Sequence, residues 1–120
     1  MTDSVKVTLE PDGIIQADYG NIIVTLDGLR EGIGKHRALA PGRKSKVIII
    51  AESSSKIDQD VVNFGKSDEV ASLTRAVAMV SDKKIGRIMM NLYLTVQKNP
   101  YPTRAFNDVE SARAWLHSLD

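Results

Sequence analysis

A continuous apolar run near the middle of the chain limits the folds that this sequence can adopt. Residues 46–51 read Lys-Val-Ile-Ile-Ile-Ala, with four β-branched residues in a row at 47–50. Such side chains are stiff at χ1 and pack well on a pleated surface, so the run predicts a strand rather than a short buried helix. A strand that is apolar on both faces is typical of the interior of a parallel sheet. The polar residues 52–55 then mark its carboxyl end, the edge where open α/β sheets place their binding sites.

The rest of the chain alternates strands with helices around this run. The predicted elements are an opening antiparallel hairpin with a turn at residues 11–13, a helix at 26–38, short helices near 57–65 and 68–73, a strand at 76–80, a long helix at 83–98, a strand at 103–106 and a final helix. Thr25 is the predicted N-cap of the first helix, and Asn107, with Glu110 three residues later, of the last. The basic pair His36 and Arg37 falls in the last turn of the first helix, where it matches the helix dipole.

The predicted order is therefore β-β-α-β-α-β-α-β-α over residues 1–120. Strands that alternate with helices imply crossover connections and a largely parallel sheet. The sequence predicts a single α/β domain with a five-stranded, mostly parallel sheet, in which the N-terminal strand is an antiparallel edge strand.

Composition excludes several classes of function. The 16 basic and 15 acidic residues give a net charge of +1, so no global field favours nucleic acid or an anionic membrane. There is no cysteine, which excludes disulfides, thiolate catalysis and cysteine-ligated metals. No apolar run approaches the roughly 18 residues that span a bilayer, and the first residues do not resemble a signal peptide. We therefore expect a cytoplasmic protein with no nucleic-acid partner and no stable membrane insertion.

The two histidines do not predict a reaction centre. His36 and His117 are far apart in the sequence, and neither has a carboxylate at metal-ligand spacing. A general base needs an oriented partner, which the local sequence does not supply for either residue. We expect no catalytic residue, no metal and no cofactor, and hence a protein that is not an enzyme.

Two stretches in the last third carry a resemblance to a known family. Residues 100–108 read Pro-Tyr-Pro-Thr-Arg-Ala-Phe-Asn-Asp, and the helix that follows contains Ala-Trp-Leu at 114–116. Together with the helix at 87–94 and the opening residues 9–14, they resemble the small bacterial STAS/SpoIIAA-like domains. The resemblance implies a SpoIIAA-like β-α superhelical sheet and a regulatory domain that acts through protein–protein association, expected here as a homodimer with an unknown protein partner. A more distant resemblance to CRAL-TRIO lipid carriers implies an alternative, the transport of a small lipid-like or apolar ligand.

The resemblance also implies a third function, control by phosphorylation. In related anti-sigma-factor antagonists, a serine just after the central strand is phosphorylated, and Ser54 and Ser55 occupy that neighbourhood here. The sequence departs from the antagonist pattern because it lacks the Asp-Ser-x-Gly arrangement. The alternative is that these serines only cap the next helix.

The long helix at 83–98 supplies the remaining candidates. Lys83, Lys84 and Arg87 place positive charge at a helix N-terminus, which opposes the dipole and predicts an anion site or simply a solvated face. Beyond its core stripe the helix carries further apolar residues. These residues and the loop after the helix predict either a dimer interface or an apolar ligand groove, with ordinary burial as the alternative. The candidate residues are Met89, Met90, Tyr93, Leu94 and Tyr101.

Overall fold

One sheet contains all the strands that the structure describes. The structure is a computed structural model, and it describes residues 5–20, 25–51, 59–81 and 100–119. The strands follow one another across the sheet in chain order: β1 (Lys6–Leu9), β2 (Ile15–Gly20), β3 (Ser45–Ala51), β4 (Thr74–Val80) and β5 (Thr103–Phe106). β1 pairs antiparallel with β2, and every other neighbouring pair is parallel. The predicted α/β class and the antiparallel edge strand are confirmed.

The helices of the described ranges occupy the predicted connections. They are α1 (Leu26–Leu39), α2 (Gln59–Gly65), α3 (Asp68–Ala71) and α4 (Val109–His117). The helix predicted at 83–98 lies outside the described residues. Within the described ranges, no helix is long and apolar enough to cross a membrane.

The central strand β3 is covered on both faces, as its apolar run predicts. Ile48 is fully buried and packs in one cluster with Ala78 of β4 and Leu116 of α4. Its neighbour Val47 lies in a different cluster, with Ala40 at the end of α1. Because successive side chains of a strand point to opposite faces, α4 and the end of α1 lie on opposite sides of the sheet. Each fully buried Ile or Leu side chain contributes about 1.5–3 kcal/mol of hydrophobic free energy, so this three-layer centre is a main source of stability.

Side-chain caps set where the two longer helices begin. Thr25 caps α1 as predicted, since its hydroxyl accepts a hydrogen bond from the backbone N–H of Gly28 at 3.1 Å. The prediction of Asn107 as the cap of the last helix is wrong: Asp108 is the N-cap, and its carboxylate accepts from the N–H of Ser111 at 2.6 Å. Aspartate caps as well as asparagine and adds a negative charge that favours the positive end of the helix dipole, so the helix begins one residue later than expected.

His36 lies in the last turn of α1, as predicted, but it does not carry the expected charge. Its side chain is only 2% exposed, and its Nε2 has no hydrogen-bond partner among the described residues. Burial, and secondly the nearby charge of Arg37, lower the pKa of His36 below its usual 6.5. The ring is therefore mostly neutral at pH 7, and Arg37 supplies the positive charge at this end of α1.

Protonation of His36 is expected to destabilise the fold in mild acid. Because the folded-state pKa lies below 6.5, the unfolded chain binds a proton first, and stability is lost as the pH falls below that value. The free energy of unfolding, measured by urea titration between about pH 7.5 and about pH 5, should decrease in the parent and decrease less in His36→Gln. Arg37→Gln, at an exposed neighbour, is the control and should keep most of the slope because burial is the larger cause. Equal slopes for the parent and His36→Gln would contradict this account.

Two glycines of α1 differ in what surrounds them. A Cβ added at Gly32 would lie 2.9 Å from the hydroxyl oxygen of Tyr19, whereas one added at Gly34 would meet nothing within 4 Å. Tyr19 cannot move aside easily, since it is 4% exposed and belongs to a buried cluster with Val5 and Ala17. Burial, and secondly the charge of Glu31, raise the pKa of the Tyr19 hydroxyl to about 12. Gly32 is thus needed for the close approach of α1 to the sheet.

Alanine at these two positions should have different effects on stability. Gly34→Ala is expected to stabilise the protein by roughly 0.5–1 kcal/mol, because alanine favours an exposed helix position. Gly32→Ala gains the same helix propensity but must displace a packed tyrosine, which costs about 1–3 kcal/mol. Thermal or urea unfolding should therefore rank Gly32→Ala at least about 1 kcal/mol below Gly34→Ala. Equal stability of the two variants would show that Tyr19 yields at little cost.

Candidate functional site

A basic groove lies where β3 and β4 begin. It has a volume of about 190 Å³ and is open to solvent. Its walls come from the β1–β2 turn, from the segment that leads into β3 and from the first residues of β4. We define the basic groove by its lining residues Asp12, Gly13, Ile14, Arg43, Lys44, Ser45, Lys46 and Arg75.

Backbone geometry brings these segments together. Gly13 has a φ of +86° and Gly42 a φ of +75°, conformations that side-chain-bearing residues rarely adopt. Gly13 completes the β1–β2 turn, in which its N–H donates to the carbonyl of Glu10 at 2.9 Å. After Gly42 the chain enters β3, and the N–H of Ser45 donates to the carbonyl of Leu73 at 2.8 Å. This bond holds the start of β3 beside the start of β4.

An irregularity in the β3–β4 pairing places Arg75 in the groove. Ser45 pairs with Thr74, and the next residue, Lys46, pairs with Ala76, so the register omits Arg75. Such a bulge leaves one residue without a ladder partner and changes the direction of its side chain. Arg75 is exposed, whereas Thr74 and Ala76 on either side are buried. The bulge thus adds a guanidinium group to the cations that come from the β3 side.

The groove concentrates positive charge on a chain that is nearly neutral overall. Arg43, Lys44, Lys46 and Arg75 supply four cations, against the single carboxylate of Asp12. The whole chain has 16 basic and 15 acidic residues. A local excess of this kind creates a positive potential at the concave surface, which attracts anions more strongly than the net charge suggests.

The carboxylate of Asp12 is already bound by α4. One of its oxygens, Oδ2, binds Nη1 of Arg113 and lies 2.9 Å from Nε2 of His117. Nη2 of Arg113 also lies 3.4 Å from the side-chain oxygen of Gln16 and 3.5 Å from a carboxylate oxygen of Glu10. We call these five residues the Asp12 cluster. It joins the β1–β2 turn to α4.

The Asp12 cluster lowers the pKa of the Asp12 carboxyl. Burial raises the pKa of this carboxyl, but hydrogen bonds from Arg113, from the N–H of Ile14 and from His117 outweigh burial and lower the pKa to about 2. The carboxylate therefore stays ionised well below pH 4, and its ion pair with Arg113 persists in mild acid.

Replacement of Asp12 should destabilise the protein only where the carboxylate is charged. The depressed folded-state pKa contributes stability above the unfolded value of 3.8, and this contribution is lost as the pH falls toward about 2. Asp12→Asn is expected to lower the free energy of unfolding by about 1–2 kcal/mol at neutral pH and by progressively less in stronger acid. Urea titrations of both proteins at several pH values test this. A difference that stays constant down to the folded-state pKa would show that the ion pair is not its cause.

Ser45 adds a buried hydroxyl to the basic groove. The residue is 5% exposed, and its Oγ has no hydrogen-bond partner among the described residues. A buried hydroxyl without a partner costs about 1–3 kcal/mol relative to one that is hydrogen-bonded. The Ser45 hydroxyl is therefore a buried polar group that no described residue satisfies, in a residue that lines the groove.

Only one of the predicted site residues, Tyr101, lies within the ranges that the structure describes. Tyr101 lies within the described ranges, where its hydroxyl donates to the carbonyl of Gly65 at 2.6 Å and its ring packs beside a cluster that includes Val70 and Leu73. Its proposed role in a dimer interface or ligand groove stays a prediction. The other candidates fall outside the described residues: Ser54, Ser55, Lys83, Lys84, Arg87, Met89, Met90, Tyr93 and Leu94.

The structure also shows what surrounds each of the two histidines. His117 has the carboxylate partner that its local sequence lacks, because Asp12 reaches it from 105 residues away. His36 is buried on the first helix and takes no part in this contact. Within the described ranges, no group of three or more histidine, aspartate or glutamate side chains is arranged to hold a metal ion.

Sequence reasoning did not single out the basic groove, although part of the signal is visible. Arg43, Lys44 and Lys46 fall within four residues around the start of the central strand. The general rule that open α/β sheets bind ligands at the carboxyl ends of their strands indicates the opposite end of β3. Arg75 and Asp12 join the groove only through strand pairing and the β1–β2 turn.

Comparison with known proteins identifies a family without a described activity. A family model described as a domain of unknown function, DUF7793, matches residues 7–120. A crystal structure of a protein with unknown function from Arthrobacter sp. FB24 is 17% identical, with a TM-score of 0.33 over 92% of this chain and 90% of that chain. No curated protein matches the sequence.

Proposed function

We propose that this chain, which belongs to the DUF7793 family of domains of unknown function, is a non-enzymatic interaction domain whose basic groove binds an acidic segment of a partner protein. The observation that carries this proposal is the placement of four cations around one carboxylate that α4 already holds. Protein–protein association is also what the resemblance to STAS-like regulatory domains implies. Cytoplasmic location and homodimerisation remain predictions from the sequence.

The size of the groove favours a few acidic side chains over a larger ligand. Its volume of about 190 Å³ is below the roughly 300–1,000 Å³ of sites that enclose whole small molecules. An extended peptide can insert one or two acidic side chains while its backbone stays outside. Nucleic acid typically contacts a longer basic track, with about 6–10 phosphate contacts, on a protein with a larger positive charge. The net charge of +1 argues against that partner.

The surroundings of the groove favour binding over catalysis. The histidine nearest to it, His117, shares the Asp12 carboxylate with Arg113. The guanidinium competes for the oxygen that would otherwise orient the imidazole as a base, so we interpret the contact as an ion cluster that holds α4 to the β1–β2 turn. Cations arranged around a shallow concavity serve mainly to attract and orient a charged partner.

Charge reversal in the groove should weaken the binding of an acidic peptide. The probe is a short fluorescein-labelled oligoglutamate peptide, and its affinity is measured by fluorescence anisotropy at low salt. The double variant Arg43→Glu/Arg75→Glu should bind at least about tenfold more weakly than the parent, because attraction becomes repulsion at two positions. Added salt should weaken the binding of the parent, since these charges are solvent-accessible.

The matched control changes the charge equally outside the groove. Arg30 lies 5.6 Å from the ring centre of Phe64, and Arg104 lies 5.4 Å from that of Phe106. Arg30→Glu/Arg104→Glu should alter the affinity by less than about threefold, because these sites lack the concave cluster of cations. Circular dichroism verifies that both double variants are folded. If the parent does not bind the peptide, or if both variants lose affinity equally, the groove is not the binding surface.

A further inference from the structure

The strand β1 forms one edge of the sheet and turns backbone groups outward. It is the first strand in the sheet order, and no strand of the described ranges pairs with its outer side. The N–H of Glu10 donates toward β2, to the carbonyl of Ile14 at 2.8 Å. In an antiparallel pair, successive residues direct their N–H and C=O groups alternately toward the partner strand and away from it. The backbone groups of Val7 and Leu9 therefore point away from β2.

This edge offers an incoming strand both hydrogen bonds and apolar contact. The side chain of Leu9 is 39% exposed, and that of Val7, on the same face of β1, is half-buried. An open edge that carries apolar side chains pairs readily with a further strand, because main-chain hydrogen bonds give affinity and alternate side chains give specificity.

A second copy of β1 fits this edge in one antiparallel register. When Thr8 lies opposite Thr8 of the second copy, Val7 lies opposite Leu9, and each of these contacts occurs twice because the pair is symmetric. The outward N–H and C=O groups of Val7 and Leu9 then bond to each other across the interface. Lys6 comes to lie opposite Glu10. We call this arrangement the Thr8-centred register.

The neighbouring registers conflict with groups that the structure shows. A shift of two residues in one direction sets Val5 opposite Leu9, but the Val5 carbonyl already accepts from Nζ of Lys35 at 2.7 Å. A shift of two residues in the other direction sets Pro11 opposite Val7, and proline has no N–H to donate. Shifts of one residue set outward groups against groups that are bonded within the β1–β2 hairpin. These conflicts leave the Thr8-centred register.

The positive charge of Lys6 has no ion partner within the described ranges. Its side chain is exposed, and its neighbour across the hairpin is Asp18 of β2. The carboxylate of Asp18 accepts from the N–H of Gly20 at 2.8 Å and forms no ion pair with Lys6 among the described contacts. Lys6 is thus available to a carboxylate of a second copy.

The carboxylate that the Thr8-centred register sets opposite Lys6 is that of Glu10. Within one copy the two residues are four positions apart along a strand, about 13 Å, too far for an ion pair. The Glu10 carboxylate accepts from the Thr8 hydroxyl at 3.2 Å and lies 3.5 Å from Nη2 of Arg113. A carboxylate has about four acceptor positions, so these contacts leave room for an ammonium group.

We propose that the outer edge of β1 pairs antiparallel with β1 of a second copy in the Thr8-centred register, so that two sheets join into one continuous sheet. The occupant is a second copy because this edge is complementary to itself in charge, apolar contact and hydrogen bonding. The contact is small, so the dimer forms at micromolar rather than nanomolar concentration. The proposal does not rest on the basic groove. Since the two copies run in opposite directions, their grooves lie at opposite ends of the joined sheet.

Charge reversal at the interface tests the proposal in the full chain. Sedimentation velocity from about 5 µM to about 500 µM should show a parent that dimerises as its concentration rises. Lys6→Glu and Glu10→Lys should each weaken the dimer at least about tenfold, because like charges then face each other twice. An equimolar mixture of these two variants should dimerise within about threefold of the parent, since every opposed pair then joins one acid and one base.

Two further variants separate edge pairing from general effects of charge and folding. Arg104→Glu makes a comparable charge change at an exposed residue of β5, the opposite edge strand, and should leave the dimer unchanged. Leu9→Pro removes an outward N–H, a position where an edge strand tolerates proline, and should abolish dimerisation. Circular dichroism should show the same secondary structure in the parent and in all variants.

Three results would overturn the proposal. The first is a parent that stays monomeric up to about 500 µM, well above the range expected for a weak specific interface. The second is a dimer that persists unchanged in both Lys6→Glu and Leu9→Pro, which would place the interface elsewhere on the molecule. The third is a mixture of Lys6→Glu and Glu10→Lys that stays as weakly associated as either variant alone, which would exclude the Thr8-centred register. The acidic-segment site in the basic groove would stand in each case.

Discussion

Burial of β3 on both faces is the constraint on which the rest of the described structure depends. An apolar strand of this kind is stable only when both of its faces are covered and both of its edges are paired. β2 and β4 pair with its edges, while α4 covers the face that carries Ile48 and the end of α1 adjoins the face that carries Val47. The parallel pairing in turn makes β3 and β4 begin at the same end of the sheet. The position of the basic groove follows from this arrangement.

The groove and the Asp12 cluster depend on each other electrostatically. Without Arg113, the carboxylate of Asp12 would have only the cations that line the groove as charged partners besides His117. Its ion pair with α4 gives the carboxylate a partner outside the groove lining and also fastens the β1–β2 turn, which forms one wall of the groove. A helix that packs against the core through Ala112 and Leu116 thus positions a charged side chain that affects the binding surface. Packing and electrostatics are coupled here through two successive residues of α4, Ala112 and Arg113.

Close packing also limits what the first helix can tolerate. Gly32 allows Tyr19 of β2 to reach the surface of α1, and His36 is buried one turn later. Both features lower the stability of the helix itself: glycine has a low helix propensity, and a buried imidazole without a hydrogen-bond partner at Nε2 is unfavourable. The helix is therefore stabilised by packing rather than by its own propensity.

Features that depend on local chemistry follow directly from the amino-acid sequence. The apolar run at 47–50, the period-two pattern of the first strand, the turn glycine Gly13 and the Thr25 cap each specify their own element through steric preference or a hydrogen bond to a near neighbour. These signals were enough for the α/β class and the antiparallel edge strand. They were not enough to choose between the adjacent caps Asn107 and Asp108, because both side chains can accept the same bond and the choice depends on where the helix packs.

The candidate site, in contrast, is formed by contacts between residues that are far apart in the sequence. Arg113 and Asp12 are 101 residues apart, and Arg75 lines the same groove as Ser45 and Lys46 at a point where a bulge shifts the β3–β4 register. Long-range contacts of this kind depend on how strands pair and where helices dock, and no local pattern of side chains encodes them. The same holds for the burial of His36 and Ser45: a helix or strand period can indicate the buried face, but the surrounding elements determine whether a polar atom on that face finds a partner.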